Sequence, residues 1–156
     1  MAVYASQLQV TGVLVFGWLA LITGISSLAA NNWVNVGIVS VGLFKMCAHT
    51  VCLNISDPPA WLMATRAFFI ISVFAIFAGN IAMTVFKFKY QQKQVQQTGI
   101  ALLLFGGILA IMSISIYAGK SSSLDEKYST GFVLAWITSV FALLASGIGC
   151  ASSRLA

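Results

Sequence analysis

The stretch from Asn31 to Cys52 decides the fold, and it reads N-N-W-V-N-V-G-I-V-S-V-G-L-F-K-M-C-A-H-T-V-C. Val, Ile, Leu and Thr dominate it, and apolar residues alternate with polar ones. This composition is typical of short β-strands, and Gly37 and Gly42 mark the expected bends or bulges. We therefore predict two or three short antiparallel strands here.

Long apolar segments surround this stretch. The chain has 156 residues, of which 60% are hydrophobic and 7% are charged, whereas a soluble domain carries about a quarter charged residues. So few charges cannot cover a surface that faces water, and lipid is the expected solvent. A membrane crossing needs about 20 residues. The predicted membrane helices are residues 10–30, 61–86, 98–118 and 131–151.

The predicted fold class is an all-α integral membrane protein: a left-handed four-helix bundle with a small extracellular antiparallel β-sheet in its first outer loop. No linker or soluble block is left over, so residues 1–156 form one predicted domain. Its predicted connections are the outer loops 31–60 and 119–130 and the inner loop 87–97.

Three aromatic residues have predicted places in the bundle. Trp61, just after Asp57-Pro58-Pro59, is expected to anchor the second helix at the membrane interface. Tyr117 is expected in the aromatic belt at the outer end of the third helix, and Trp18, inside the first span, is expected to pack against other helices.

The lysines of the inner loop predict the orientation. Lys87, Lys89 and Lys93 lie close together without an acid, so the positive-inside rule places this loop in the cytoplasm. With four crossings, both termini are then cytoplasmic. The other side carries a similar number of bases, but they are dispersed, and a cysteine pair there suits an oxidising compartment. We expect a multi-pass protein of the plasma membrane.

Cys47 and Cys52 are expected to form a structural disulfide on the extracellular strands. One alternative is a redox enzyme, but such enzymes typically use C-x-x-C and a second cysteine pair, and neither is present. The other alternative is a metal site that includes His49. Three ligands within six residues make a poor tetrahedral site, so we predict no metal.

Other functional groups are sparse. Asn54-Ile55-Ser56 is a glycosylation sequon, and Cys150 lies at the inner boundary of the fourth helix, where either palmitoylation or a buried free thiol is expected. With three acids and one histidine in the sequence, no catalytic residues can be assembled, and we predict no enzyme, cofactor or small-molecule substrate. The scattered bases form no nucleic-acid-binding patch.

Seven residues resemble the signature of the claudin superfamily, W…G-L-W…C…C followed by an Arg. They are Trp33, Gly42, Leu43, Phe44, Cys47, Cys52 and Arg66. The chain looks most similar to the branch of the peripheral myelin protein, the epithelial membrane proteins and the lens fibre membrane intrinsic protein. Ala64-Thr65-Arg66-Ala67-Phe68 and the C-x4-C spacing resemble the lens protein. Ile116-Tyr117 and Tyr128-Ser129-x-Gly131-Phe132, with Leu134-Ala135-Trp136, resemble the myelin branch. In this chain Phe44 replaces the usual Trp, and the stretch from Trp33 to Gly42 is shorter than in claudins.

The resemblance implies structural roles for these residues. Trp33 and the Gly42-Leu43-Phe44 turn would pack the sheet onto the helix ends, and Arg66 would donate hydrogen bonds to loop carbonyls.

The resemblance also implies a non-enzymatic role: organising membranes or cell contacts through the outer loops. The expected partners are the lipid bilayer and membrane proteins, including further copies of this chain, both laterally and across cell junctions. A claudin-like paracellular barrier or pore is one alternative. An accessory subunit that modulates or traffics a channel or receptor is a second.

Overall fold

The described part of the chain folds into four long helices and five short strands. The computed structural model describes residues 2–48, 51–89, 92–121 and 127–155. The helices are α1 (Ala2–Ala29), α2 (Ala60–Phe88), α3 (Lys93–Ser121) and α4 (Thr130–Leu155). The strands are β1 (Val34–Val36), β2 (Val39–Val41), β3 (Lys45–Ala48), β4 (Val51–Asn54) and β5 (Lys127–Tyr128).

All four helices are long and apolar enough to cross a membrane. They extend beyond most of the predicted limits; α3, for example, runs from Lys93 to Ser121. A helix of 29 residues is about 43 Å long, which matches the roughly 40–45 Å of a bilayer with its headgroups, not only its hydrocarbon core. Hydrogen bonding within a helix continues past the apolar core, which is why apolarity alone underestimates the helix ends.

Glycines let α2 and α3 approach closely. A Cβ atom on Gly79 would lie 3.1 Å from the carbonyl oxygen of Gly99, and one on Gly106 would lie 3.1 Å from that of Ser72. Ser72 also donates a 2.8 Å hydrogen bond from Oγ to the carbonyl oxygen of Gly106. Close backbone approach and buried hydroxyl bonds hold helices together where lipid supplies no hydrophobic drive.

Asn80 fastens α1 to α2 in the middle of the bundle. Its Nδ2 donates a 2.8 Å hydrogen bond to the carbonyl oxygen of Gly17. A side chain at Gly17 would collide with this amide, so the glycine leaves the space that the bond needs.

The strands form one antiparallel sheet in the order β4-β3-β2-β1-β5. The first outer loop contributes four strands, so the expectation of two or three is corrected. Gly37, with a φ of 61°, lies in the turn that joins β1 to β2. The fifth strand comes from the second outer loop and pairs with β1. Four spanning helices with a small outer sheet confirm the predicted architecture; the left-handed sense of the bundle stays a prediction.

Candidate functional site

The outer sheet has two chemically different faces. Residues that pair across neighbouring strands lie on the same face of the sheet. Val41 pairs with Met46, and Met46 pairs with Leu53. The first face is largely apolar and consists of Val34, Val36, Val39, Val41, Met46, Ala48, Val51, Leu53 and Tyr128. The second face is polar, apart from the disulfide, and consists of Asn35, Ser40, Lys45, Cys47, Cys52, Asn54 and Lys127.

The apolar face is covered by helices at one end and exposed at the other. Over β1 and β2 it lines a half-open cavity of about 400 Å³ together with Trp61 and Tyr117. Across β4, Val51 is 59% exposed and Leu53 is 67% exposed. β4 is also an edge strand, because the sheet ends there. The sheet therefore presents an apolar surface and an open strand edge beyond the helix ends.

Trp33 fastens the sheet to all four helices. It is fully buried, and its Nε1 donates a 2.9 Å hydrogen bond to the carbonyl oxygen of Ser27 at the end of α1. Its ring packs against Phe69 of α2, Tyr117 of α3 and Phe132 of α4, with ring centroids 5.5, 5.1 and 6.2 Å apart. One side chain at the start of the sheet thus contacts each helix of the bundle.

The second outer loop is attached around the same tryptophan. Ser129 donates its backbone N–H to the carbonyl oxygen of Trp33 at 2.9 Å, and Gly131 donates to that of Asn32 at 2.9 Å. A Cβ atom on Gly131 would lie 2.5 Å from the Trp33 ring. Any larger residue would push the start of α4 away from the indole. The two outer loops therefore form one unit.

Leu43 and Arg66 make a second attachment. Leu43 is fully buried among the helix ends. Arg66 Nε donates a 2.6 Å hydrogen bond to the carbonyl oxygen of Leu43, as the resemblance implies. A Cβ atom on Gly42 would lie 2.7 Å from the carbonyl oxygen of Ala30, so this turn needs a glycine to reach α1.

Phe44 differs from the expectation that the whole turn packs inward. Its side chain is 40% exposed. The ring contacts the Arg66 guanidinium, whose Cζ is 5.0 Å from the ring centroid. Leu43 and Phe44 lie in the bend between β2 and β3, where Leu43 is buried and Phe44 turns outward. There it covers the guanidinium in a cation–π arrangement.

Cys47 and Cys52 are bonded directly across β3 and β4. The disulfide lies on the polar face and pins the register of this hairpin. His49, the third residue of the alternative metal site, lies outside the described residues. Within the described part of the chain, no three His, Cys, Asp or Glu side chains come together to hold a metal; the absence of a metal site stays a prediction.

The two candidate modification sites lie far apart in the fold. Asn54 is exposed at the last position of β4, six positions before α2 begins at Ala60, and its glycosylation stays a prediction. Cys150 is an exposed free thiol near the end of α4, which corrects the alternative of a buried thiol. Its palmitoylation stays a prediction.

Sequence reasoning misplaced two aromatic residues. Tyr117, expected in the lipid-facing belt, is buried against Trp33. Trp18, expected to be packed, is 41% exposed on the outer surface of the bundle. Trp61 is half-buried, and its ring lies 5.8 Å from that of Tyr117. Helical position gave no signal that separates a packed from a lipid-facing aromatic, because both environments are apolar.

Comparisons with known proteins agree with this architecture. The model of the PMP-22/EMP/MP20/Claudin family matches residues 4–148. The chain is similar to the human lens fiber membrane intrinsic protein, with 24% identity over 140 residues that cover 81% of this chain and 80% of that protein. It is also similar to the mouse claudin domain-containing protein 2, with 24% identity over 136 residues that cover 86% and 81% of the two chains. The chain therefore belongs to the PMP-22/EMP/MP20/Claudin family and is a multi-pass membrane protein with the fold of that family.

Proposed function

We propose that this protein has a non-enzymatic role and organises membranes or cell contacts through its outer sheet. The observation that carries the proposal is the exposed part of the apolar face, which lies on a sheet that is fastened to every helix of the bundle. An exposed apolar patch on a folded protein typically marks an interaction site.

The rigid attachment supports a role in binding. The side chains of Val51 and Leu53 project from a strand that is pinned by the Cys47–Cys52 disulfide. The sheet is then held to the bundle through Trp33. Because the surface is ordered before a partner arrives, little conformational entropy is lost on binding. Among the described residues no strand pairs with the outer edge of β4, so this edge offers backbone groups to a partner strand.

The orientation of the protein is part of the proposal. The three acids of the sequence, Asp57, Asp125 and Glu126, all fall in the connections on the side of the sheet, whereas Lys87, Lys89 and Lys93 crowd the opposite end. This asymmetry favours a cytoplasmic location for the lysines and an extracellular location for the sheet in the plasma membrane. The four helices and the sheet then act as one domain.

The proposal is tested with mixed cell populations. Cells that lack junctions would express the protein with either of two fluorescent tags, and its enrichment at borders between two expressing cells would be compared with borders to non-expressing cells. We expect enrichment at the former. Leu53→Glu places a charge on the apolar face and should abolish the enrichment, while Ser40→Glu on the polar face should keep it. Equal behaviour of the two variants at equal surface levels would refute the proposal.

A paracellular barrier is the second candidate, because the family match includes claudins. It predicts a change in transepithelial resistance when the protein is expressed in an epithelial monolayer, whereas the proposed role predicts none. An accessory subunit would instead co-purify with a larger channel or receptor in near-stoichiometric amounts. The resistance measurement needs a junction-forming epithelial line, whereas the co-purification uses the cells of the border assay.

A further inference from the structure

A groove runs between α1 and α2 at the end of the bundle opposite the sheet. Its walls are apolar and include Leu14, Val15, Trp18 and Ile22. Thr11 of α1 and Lys87, next to the last residue of α2, line its polar end. The groove has a volume of about 460 Å³ and is open along its outer side. Trp18 is exposed in this groove, which explains why it does not pack inside the bundle.

The length of the groove matches one leaflet of a bilayer. It extends along α1 from Thr11 to Ile22, and eleven helical steps correspond to about 16 Å. The hydrocarbon core of a membrane is about 30 Å thick, so the groove covers about half of it. A single acyl chain has this length and needs these apolar walls.

A cation lies at the polar end of the groove. Lys87 Nζ donates a 2.8 Å hydrogen bond to Thr11 Oγ1 and lies 5.6 Å from the centroid of the Phe88 ring. An ammonium group has three donors, and this bond occupies one of them. The inner loop 87–97 contains no acid, so its own sequence supplies no carboxylate for the lysine. The Lys87 ammonium is thus held at the end of the groove that lies farther from the sheet.

We propose that this groove binds one anionic phospholipid, with an acyl chain along Trp18 and Ile22 and the headgroup phosphate on Lys87. The apolar walls alone would accept any lipid, and the lysine at their end selects an anionic one. The binding itself follows from the groove. That the lipid comes from the cytoplasmic leaflet, which is rich in anionic lipids, rests on the orientation proposed above.

Native mass spectrometry of the purified full-length protein tests the site. Dioleoyl phosphatidylserine and dioleoyl phosphatidylcholine would be added in equal amounts, and the bound fraction of each would be measured. We expect retention of phosphatidylserine. Lys87→Gln should weaken it about fivefold, given the contribution of one lysine near anionic lipid. Lys93→Gln removes the same charge from the same end of the molecule but lies outside the groove, and it should have no effect.

A second pair of variants tests the acyl-chain part. Val15→Trp fills the groove and should reduce phosphatidylserine binding, whereas Val140→Trp makes the same change on the exposed surface of α4 and should not. Glycerophosphoserine, which has the headgroup without chains, should not compete. Circular dichroism would verify that each variant is folded.

Three results would overturn the proposal. The first is equal binding of both lipids, and the second is equal loss in the Lys87 and Lys93 variants, which would indicate a diffuse basic surface. The third is an equal loss of phosphatidylserine binding in the Val15→Trp and Val140→Trp variants, which would show that the acyl chain does not lie in the groove. None of them depends on cell contacts, so they are separable from a failure of the proposed function.

Discussion

Replacing Trp33 by alanine tests how the outer sheet is fastened to the bundle. The indole is fully buried and makes the hydrogen bond to Ser27 together with three aromatic contacts. Truncating a buried Trp to Ala costs about 3–5 kcal/mol of the free energy of unfolding. Trp33→Phe keeps a ring in place and loses the Nε1–H donor, so we expect a smaller loss of about 1–2 kcal/mol.

The matched control is Trp136→Ala. Trp136 is 44% exposed on α4, and lipid or detergent can replace the contacts of a lipid-facing side chain. We expect a loss of about 1 kcal/mol or less, because lipid tails are as apolar as the side chain. Reversible unfolding in mixed micelles, followed by circular dichroism during a titration with sodium dodecyl sulfate, gives the free energies of all three variants.

The reasoning would be refuted if Trp33→Ala lowered the free energy of unfolding no more than Trp136→Ala. Such a result would mean that the sheet is held to the helices without the central indole. A loss of the full size in Trp33→Phe would show instead that the hydrogen bond, and not the ring packing, dominates.

Three further predictions use the same titration. Replacing Cys47 and Cys52 together by serine should lower the free energy of unfolding by about 2 kcal/mol, the short-loop value for a lost disulfide. The double variant should also be retained inside the cell. A double variant that reaches the surface with a natively protected outer loop contradicts this. Gly131→Ala should lower the free energy of unfolding by about 1–3 kcal/mol, because the added methyl group crowds the Trp33 indole. Gly119→Ala is the control, since a Cβ atom there meets nothing within 4 Å, and it should be neutral or slightly stabilising. Equal effects of the two variants would be inconsistent with the packing around Trp33. Arg66→Met should cost about 1.5–3 kcal/mol through the lost charged hydrogen bond, and full recovery by Arg66→Lys would show that the planar guanidinium is not needed.

The membrane helices could be predicted because their cause is local. A run of about 20 apolar residues folds in few ways other than a membrane helix, and the chain has four such runs. The exact helix ends could not be predicted, since they depend on where the chain leaves the headgroup region. The inner connection shows this, because α3 begins at Lys93, in the middle of the predicted loop.

The sheet was only partly predictable. Alternating residues and glycines indicated strands in the first loop, but β5 consists of only Lys127 and Tyr128. Two residues carry no periodic pattern, and their pairing with β1 is created by the folding of the bundle, which brings the two outer loops together.

Some features of the candidate site could be predicted from the sequence and others could not. The residues of the family signature were visible as a set, and Trp33 and Arg66 make the contacts that the resemblance implies. The two faces of the sheet were not recognised, because they depend on register between strands. The groove beside Trp18 was also missed, since an outward-facing tryptophan and a packed one look alike within an apolar segment.

A photo-crosslinking amino acid at Leu53 tests the central claim most directly. It would be incorporated in intact cells that express the protein, with Lys45 on the opposite face of the sheet as the control position. The proposed function predicts crosslinks from position 53 to another protein molecule, which increase when the cells touch, and far fewer from position 45. Equal crosslinking from both positions, or none to protein from position 53, would contradict a contact role for the apolar face.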